Sequence, residues 1–179
     1  MRREFLGDSY DAVKRMWQDI LAPWAPLYAE PRFIPAELRS EFTLLTRIPM
    51  LLETPPDDVF SILNDPDTGI RLPAQGNQSE GRTHISINSI ADQLRIGAVC
   101  VVTFDQSDYR NNGMKRNEQR RAKMIALAQK GLYSFYYVSH APFLFTVSDQ
   151  YKLSKVRELI KNAGIPKNRL ENIDVMPNR

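Results

Sequence analysis

The feature that most constrains the fold of this chain is a continuous apolar run at residues 98–104, with the sequence Ala-Val-Cys-Val-Val-Thr-Phe. Its apolar side chains do not alternate with polar ones, so a strand formed here must be covered on both faces. Strands of this kind lie in the middle of sheets that carry helices on both sides. We therefore expect residues 98–104 to form the central strand of an α/β sheet.

The rest of the chain alternates between strand-like and helix-like segments. Residues 37–47 fit a helix and a strand equally well. The short connection His140-Ala141-Pro142 requires the strands on either side of it to pair antiparallel. The alternating order of strands and helices along the chain predicts a single three-layer α/β domain over residues 1–179, with a mainly parallel sheet and a C-terminal antiparallel hairpin. Apolar spacing and stop signals predict helices at 11–21, 85–94, 117–130 and 152–163, and strands at 59–63, 98–104, 133–139 and 143–147.

Length and composition exclude several classes of protein. The chain has 179 residues, of which 42% are apolar and 25% charged, and this suits one globular domain with a core. No apolar run approaches the ~20 residues of a membrane span, and Phe5-Leu6 is too short for a signal peptide. We therefore expect no membrane partner. The single cysteine, Cys100, predicts a buried and inert thiol and fits a reducing cytoplasm.

A polar segment with turn chemistry, Asn64-Asp65-Pro66-Asp67-Thr68-Gly69, follows the strand predicted at 59–63. Ligands of open α/β sheets bind outside the carboxyl ends of the strands, so acids placed there are candidates for a site. Asp65 and Asp67 are the candidate catalytic residues of this segment. The alternative is an ordinary turn, because Asp, Pro and Gly are common turn residues.

A second acidic segment, Gly7-Asp8-Ser9-Tyr10-Asp11, follows the strand-like run at residues 4–6. Gly7 permits a sharp turn, Asp8 and Asp11 are suited to a cation, and Lys14 is suited to an anion one helical turn later. We take these residues as candidate cofactor ligands, and Asp8 also as a candidate catalytic residue. The alternative is a helix N-cap with an i,i+3 pair between Asp11 and Lys14.

Asp105-Gln106-Ser107 follows the predicted central strand in the same way. We expect Asp8, Asp65 and Asp67 to line one cleft at this edge of the sheet, with Lys14 at its margin. Carboxylates from several strand ends also suit Mg²⁺, so a metal-dependent phosphodiesterase or nuclease using Asp8, Asp11, Asp65, Asp67 and Asp105 is one hypothesis.

The helix predicted at 117–130 is basic. Arg116, Arg120 and Lys123 are spaced three and four residues apart and so share one helical face, with Arg121 beside them. A stripe of this kind is typical of contacts with a nucleic-acid backbone, and these residues are the candidate nucleic-acid ligands. The alternative is a solvated charged face. Arg110, Lys115 and Lys130 extend the basic cluster.

Motifs of several common activities are absent. No cysteine–histidine spacing suits structural zinc, and neither a G-x-S-x-G elbow, a Walker loop nor a dinucleotide glycine fingerprint occurs. The histidines are His84 and His140, and the predicted hairpin turn at His140 leaves open which edge of the sheet that ring approaches.

The chain resembles a group of small, mostly uncharacterised bacterial proteins in two motifs. They are G-D-x-x-D-x-x-K, here Gly7, Asp8, Asp11 and Lys14, and D-P-D-x-G-[LI], here residues 65–70. More remotely it is similar to Rossmann-like S-adenosylmethionine methyltransferases that act on the exocyclic amine of adenine. Asp65-Pro66 would match the start of their (Asn/Asp)-Pro-Pro-aromatic strand end, which holds the target amine, and residues 7–14 would lie beside the cofactor.

Three functions follow as hypotheses. The resemblance implies a Rossmann-like relative of S-adenosylmethionine-dependent methyltransferases, active or decayed, that acts on nucleic acid. The clustered acids favour a Mg²⁺-dependent phosphodiesterase or nuclease. A non-catalytic binding protein, in which the acids only cap helices and turns, is the third.

Overall fold

The computed structural model of the chain describes residues 3–72, 81–107 and 113–173. Most of the loop predicted at 72–82 lies outside the described residues, and so does Arg110 of the basic cluster.

The described residues form a mixed α/β fold. Its strands are β1 Leu27–Ala29, β2 Ser61–Asn64, β3 Gly69–Ile70, β4 His84–Ile85, β5 Cys100–Phe104, β6 Tyr133–Tyr137, β7 Phe143–Val147 and β8 Leu170–Glu171. Six of these strands form one mixed sheet in the order β1-β2-β5-β7-β6-β8. In this sheet β1, β2 and β5 are mutually parallel, β7 is antiparallel to both β5 and β6, and β8 is antiparallel to β6. β3 and β4 pair in parallel as a small second sheet.

The helices begin at polar caps in several cases. Asp8 caps the first helix, Ser86 the third and Asp149 the fifth, each through a side-chain oxygen that accepts a backbone N–H of the first turn. Residues 37–47, whose sequence suited both a helix and a strand, are largely helical. No helix in the described residues has the length and apolarity needed to cross a membrane. The helices are α1 Ser9–Leu21, α2 Arg39–Thr46, α3 Ile87–Arg95, α4 Arg116–Ala128 and α5 Gln150–Asn162.

Strand β5 lies between β2 and β7, and both of its faces are buried. Val102 belongs to an apolar cluster that includes side chains of α1, α2 and α5, whereas Val101 belongs to a second cluster with side chains of α3 and α4. Val101, Val102 and Cys100 are fully buried. The prediction of a strand covered on both faces is confirmed, as is the buried position of Cys100, whose thiol pKa burial raises.

Residues 4–6 do not form the strand that their sequence predicts. Arg3–Phe5 forms a 3₁₀ helix, with backbone hydrogen bonds from Leu6 N to Arg3 O and from Asp8 N to Phe5 O. Arg3, Glu4 and Phe5 are exposed and have no strand partner in the described chain, so local turn bonds satisfy their backbone. The hairpin of β6 and β7 is confirmed, and β8 adds an antiparallel strand that the sequence did not indicate.

Candidate functional site

A cleft of about 500 Å³ opens at the carboxyl ends of β2 and β5. Its charged lining residues are Asp8, Asp65, Asp67 and Lys14. The expected convergence of these acids from distant parts of the chain is therefore confirmed. We call this space the acidic cleft, and its remaining lining residues are Phe5, Tyr10, Pro66, Thr68, Thr83, Phe104 and Gln106.

The first side of the acidic cleft is the N-terminus of α1. Asp8 Oδ1 accepts hydrogen bonds from the backbone N–H groups of Tyr10 at 2.8 Å and Asp11 at 3.2 Å. Gly7 has φ +83°, and its N–H donates to Asp11 Oδ2 at 2.7 Å. The N-cap interpretation of Asp8 is thus correct, and the same residue also lines the cleft.

Lys14 is buried in the interior of the acidic cleft instead of standing at its margin. Its Nζ donates to Asp11 Oδ1 at 2.8 Å and to Asp65 Oδ2 at 2.7 Å, and the residue is 3% exposed. Phe42 and Phe104 flank the ammonium, with ring centroids 5.7 and 5.8 Å away. The role of Lys14 as an anion ligand stays a prediction, and an anion bound there would compete with the two carboxylates that already pair with this ammonium.

The electrostatics of this group follow from two carboxylates sharing one ammonium. Burial raises the pKa of Asp65 above its ordinary value despite the opposing attraction of Lys14, and the nearby charge of Asp11 adds to the rise. Burial works against the charged form of Lys14, but Asp65 and Asp11 outweigh it and raise the pKa of Lys14. The group therefore carries either one excess negative charge or one bound proton.

A reciprocal amide pair fixes the end of β2 beneath the cleft. Asn64 Nδ2 donates to Gln93 Oε1 at 2.7 Å, and Gln93 Nε2 donates back to Asn64 Oδ1 at 2.8 Å. Thr103 Oγ1 accepts a further bond from Asn64 at 3.2 Å. These residues orient the strand end that carries Asp65. Gln93 could not be identified from the local sequence, because it lies 29 positions away on α3.

Residues 65–68, which we call the acidic loop, form the second side of the cleft. The small sheet of β3 and β4 holds its far end, because Asp67 N–H donates to Arg82 O at 3.1 Å and Thr68 N–H donates to Thr83 O at 2.8 Å. Asp65 is 5% exposed, whereas Asp67 is exposed. The two candidate catalytic acids of this loop therefore have different environments.

Aromatic rings complete the lining. The rings of Tyr10 and Phe104 meet edge to face with centroids 5.4 Å apart, and Tyr10 also contacts His140 at 5.6 Å. The hairpin turn of β6 and β7 thus lies at the same edge as the acidic cleft, which settles the position of His140. Phe104 and Gln106 could have been found from sequence, because they end the same strand as Asp105.

Asp105 does not line the cleft. It is 1% exposed, and its Oδ2 accepts hydrogen bonds from Lys123 Nζ and Tyr136 OH, each at 2.6 Å. Ser107 Oγ lies 2.6 Å from Asp105 Oδ1 and 2.6 Å from Lys123 Nζ. Burial alone would raise the pKa of Asp105, but Lys123 and the hydrogen bonds from Lys123, Ser107 and Tyr136 lower it.

The basic stripe of α4 is largely turned inward. Lys123 is fully buried against Asp105, and Arg120 is 9% exposed and paired with Glu171 Oε2 at 2.7 Å. These two residues are therefore removed from the candidate nucleic-acid ligands, because their charged groups are paired with carboxylates inside the protein. Arg116 and Arg121 are exposed.

Within residues 3–72, 81–107 and 113–173, no three His, Cys, Asp or Glu side chains are grouped so as to hold a metal ion. Comparison with known protein families, with curated proteins and with solved structures finds no match for this chain.

Proposed function

We propose that the acidic cleft binds a small adenine-bearing ligand that carries a positive charge, and that the chain is a three-layer Rossmann-like domain related to S-adenosylmethionine-dependent methyltransferases. The observation that carries the proposal is the convergence of Asp8, Asp65 and Asp67 with the rings of Tyr10 and Phe104 in one cleft. The position at the carboxyl ends of parallel strands β2 and β5 is where ligands of open α/β sheets bind.

Charge supports a cationic ligand. Asp11 and Asp65 share a single ammonium, so the buried group leaves an excess of negative charge that only a cation or a proton can balance. Asp8 adds a carboxylate at the cleft surface. Aromatic faces attract cations as well, which adds Tyr10 and Phe104 to the favourable contacts.

Size and ring chemistry support the adenine. A volume of about 500 Å³ lies in the range of small-molecule sites. The acidic loop has Thr68 where the methyltransferases it resembles have an aromatic residue, but Tyr10 and Phe104 bring rings to the same cleft from other elements. Stacking of a base on such a ring is worth about 1–3 kcal/mol.

S-adenosylmethionine agrees with this lining in charge and size. Asp8 and Asp67, which both line the cleft, would hold its cationic groups, Tyr10 and Phe104 would hold its base, and the bound cofactor would supply an electrophilic methyl group. The chain has no glycine between Asp8 and Thr68, so acidic and aromatic side chains must provide contacts that a glycine-rich loop would otherwise make.

The metal-dependent alternative is less well supported. The ammonium of Lys14 occupies the position between Asp11 and Asp65 where a metal ion would be coordinated, at 2.8 and 2.7 Å from the two carboxylates. Asp105 is bound to Lys123 in a separate buried group. A divalent cation would have to displace buried ion pairs before it could use these acids.

Isothermal titration calorimetry of the full chain with S-adenosylmethionine, S-adenosylhomocysteine and adenosine tests the proposal. The informative variant is Asp8→Asn, because asparagine caps a helix as well as aspartate but lacks its charge. We expect about tenfold weaker binding of S-adenosylmethionine, in line with the loss of one charged contact.

The matched control is Asp149→Asn, which makes the same change at the N-cap of α5, at the opposite edge of the sheet. It should bind like the wild type. If none of the three ligands binds the wild-type protein, the proposal is wrong, and a thermal shift produced by Mg²⁺ alone would favour the metal-dependent alternative.

A further inference from the structure

The acidic loop is attached to the core through Asp105. Ile70, directly after the loop and Gly69, donates its N–H to Asp105 Oδ1 at 2.9 Å. Ser107 Oγ lies 2.9 Å from the Ile70 carbonyl oxygen, and Gln106 N–H donates to Thr68 O at 3.0 Å. Both ends of the short β3 segment are therefore held by the segment that follows β5.

Gly69 makes this attachment possible. A Cβ atom at this position would lie 2.2 Å from Asp105 Oδ1 and 2.8 Å from Asp105 Cα, and φ is +132°. Only glycine allows the loop to approach the carboxylate so closely. The glycine of the D-P-D-x-G motif thus has a role that extends beyond turning the chain.

The group behind Asp105 is buried and charged, although such groups add little to stability. Lys123 and Tyr136 are fully buried, and both donate to Asp105 Oδ2 at 2.6 Å. Replacing a buried ion pair by apolar residues is often neutral for stability, so its value lies more in fixing one arrangement than in strengthening the fold. The arrangement fixed here connects α4, β5 and β6 to the acidic loop.

We propose that Asp105, held by Lys123, Tyr136 and Ser107, is a positioning residue that sets the geometry of the acidic loop and hence of Asp65 and Thr68 in the cleft. Asp105 is not among the lining residues of the cleft, so it acts through the backbone of residues 68–70 and without contact to a ligand.

The first test is Ser107→Ala, with Ser134→Ala as the matched control. Ser134 Oγ is buried and forms no hydrogen bond within the described residues, so its removal takes away a hydroxyl without a partner. Amide hydrogen exchange by NMR reports on the attachment directly. In Ser107→Ala we expect Ile70 and Gln106 amides to exchange about fivefold faster relative to Val102 in the central strand, as for loss of one ordinary hydrogen bond.

Ser134→Ala should leave the ratio of Ile70 to Val102 exchange unchanged. The positioning role is rejected if Ser107→Ala leaves that ratio unchanged, or if all amides accelerate equally, which would mean general destabilisation. Should Ser107→Ala not fold, Tyr136→Phe removes the other hydroxyl donor, and Tyr133→Phe on the same strand is its control.

A second measurement, the affinity for adenosine, rests on the proposed function. We expect Ser107→Ala to weaken adenosine binding by about threefold to tenfold and Ser134→Ala to leave it unchanged. If adenosine does not bind the wild type, the same comparison is made with S-adenosylmethionine. If neither of these nor S-adenosylhomocysteine binds, the proposed function fails, and the exchange ratio still decides the positioning role by itself.

Discussion

Lys14 and Asp65 are 51 positions apart in the chain, and their charged groups meet at 2.7 Å inside the acidic cleft. The pair joins α1 to the end of β2, so the two motifs that the sequence presented separately form one buried group. Asp11 holds the same ammonium from the other side at 2.8 Å.

Lys14→Met should destabilise the fold strongly. Methionine fills a similar volume but leaves the carboxylates of Asp11 and Asp65 buried without a cation, a change that costs about 3–5 kcal/mol. Urea unfolding followed by circular dichroism measures the loss at pH 7. The control is Lys155→Met, which removes an exposed pair with Glu158 and should cost less than about 1 kcal/mol. Equal losses in the two variants would contradict the buried position of Lys14.

Asp65 makes stability depend on pH in an unusual direction for a carboxylate. Because its pKa is raised in the folded state, the unfolded chain loses the proton first as the pH rises past the ordinary value of 3.8. Its contribution to stability is complete below that value and is lost as the pH rises through the folded pKa.

The comparison that isolates this effect is wild type against Asp65→Asn. The unfolding free energy of the wild type, relative to that of the variant, should fall between pH 4 and pH 7 in urea titrations. An increase over the same range would show that Lys14 outweighs burial at Asp65.

Gly69→Ala should cost about 2–4 kcal/mol, because it combines a forbidden contact with Asp105 and a left-handed backbone. Gly164→Ala is the matched control, since Gly164 has φ +81° but open space around the position of its Cβ. That variant should lose about 1 kcal/mol from backbone strain alone. Thermal unfolding of both variants separates contact from strain, and identical losses would mean that Asp105 moves aside freely.

Lys123→Ala should behave as a core mutation. Removing the ammonium leaves Asp105 as an unpaired buried charge and is expected to cost about 3–5 kcal/mol. Arg121→Ala, two residues earlier on the exposed side of α4, should change stability by no more than about 0.5 kcal/mol. Urea unfolding of both variants measures the difference. If Lys123→Ala left the unfolding free energy nearly unchanged, the buried position of Lys123 would be contradicted.

Patterns that repeat along one element predicted much of the fold. Apolar spacing identified α1, and the stop residues Gly131 and Gly164 marked the ends of α4 and α5. The continuous run at 98–104 identified β5 as a strand buried on both faces. Two-residue strands such as β3 and β8 are too short to show an alternation of apolar and polar residues. They form because a partner strand lies beside them. They could not be found from local sequence.

The candidate site was predictable in outline for a similar reason. Asp65 was expected at the cleft because it ends a strand. Asp8 was expected there because it follows residues 4–6, which form a 3₁₀ turn and no strand, so its position was predicted correctly for a wrong reason. The side of α4 that faces the core was not predictable, because Lys123 and Arg120 look like surface residues until Asp105 and Glu171 are placed opposite them. An ion pair between residues far apart in the chain cannot be recognised from the sequence around either residue.

The Asp105–Lys123 pair has a consequence for how this sequence can diverge. Any lineage that loses only one member of the pair passes through a protein with an isolated charge in its core, and this intermediate is expected to be less stable by about 3–5 kcal/mol. Drift at position 105 should therefore be accompanied by drift at position 123, toward neutral pairs of similar volume. Position 69 should accept a side chain only in descendants that have lost the Asp105 carboxylate, because a Cβ atom there would collide with it.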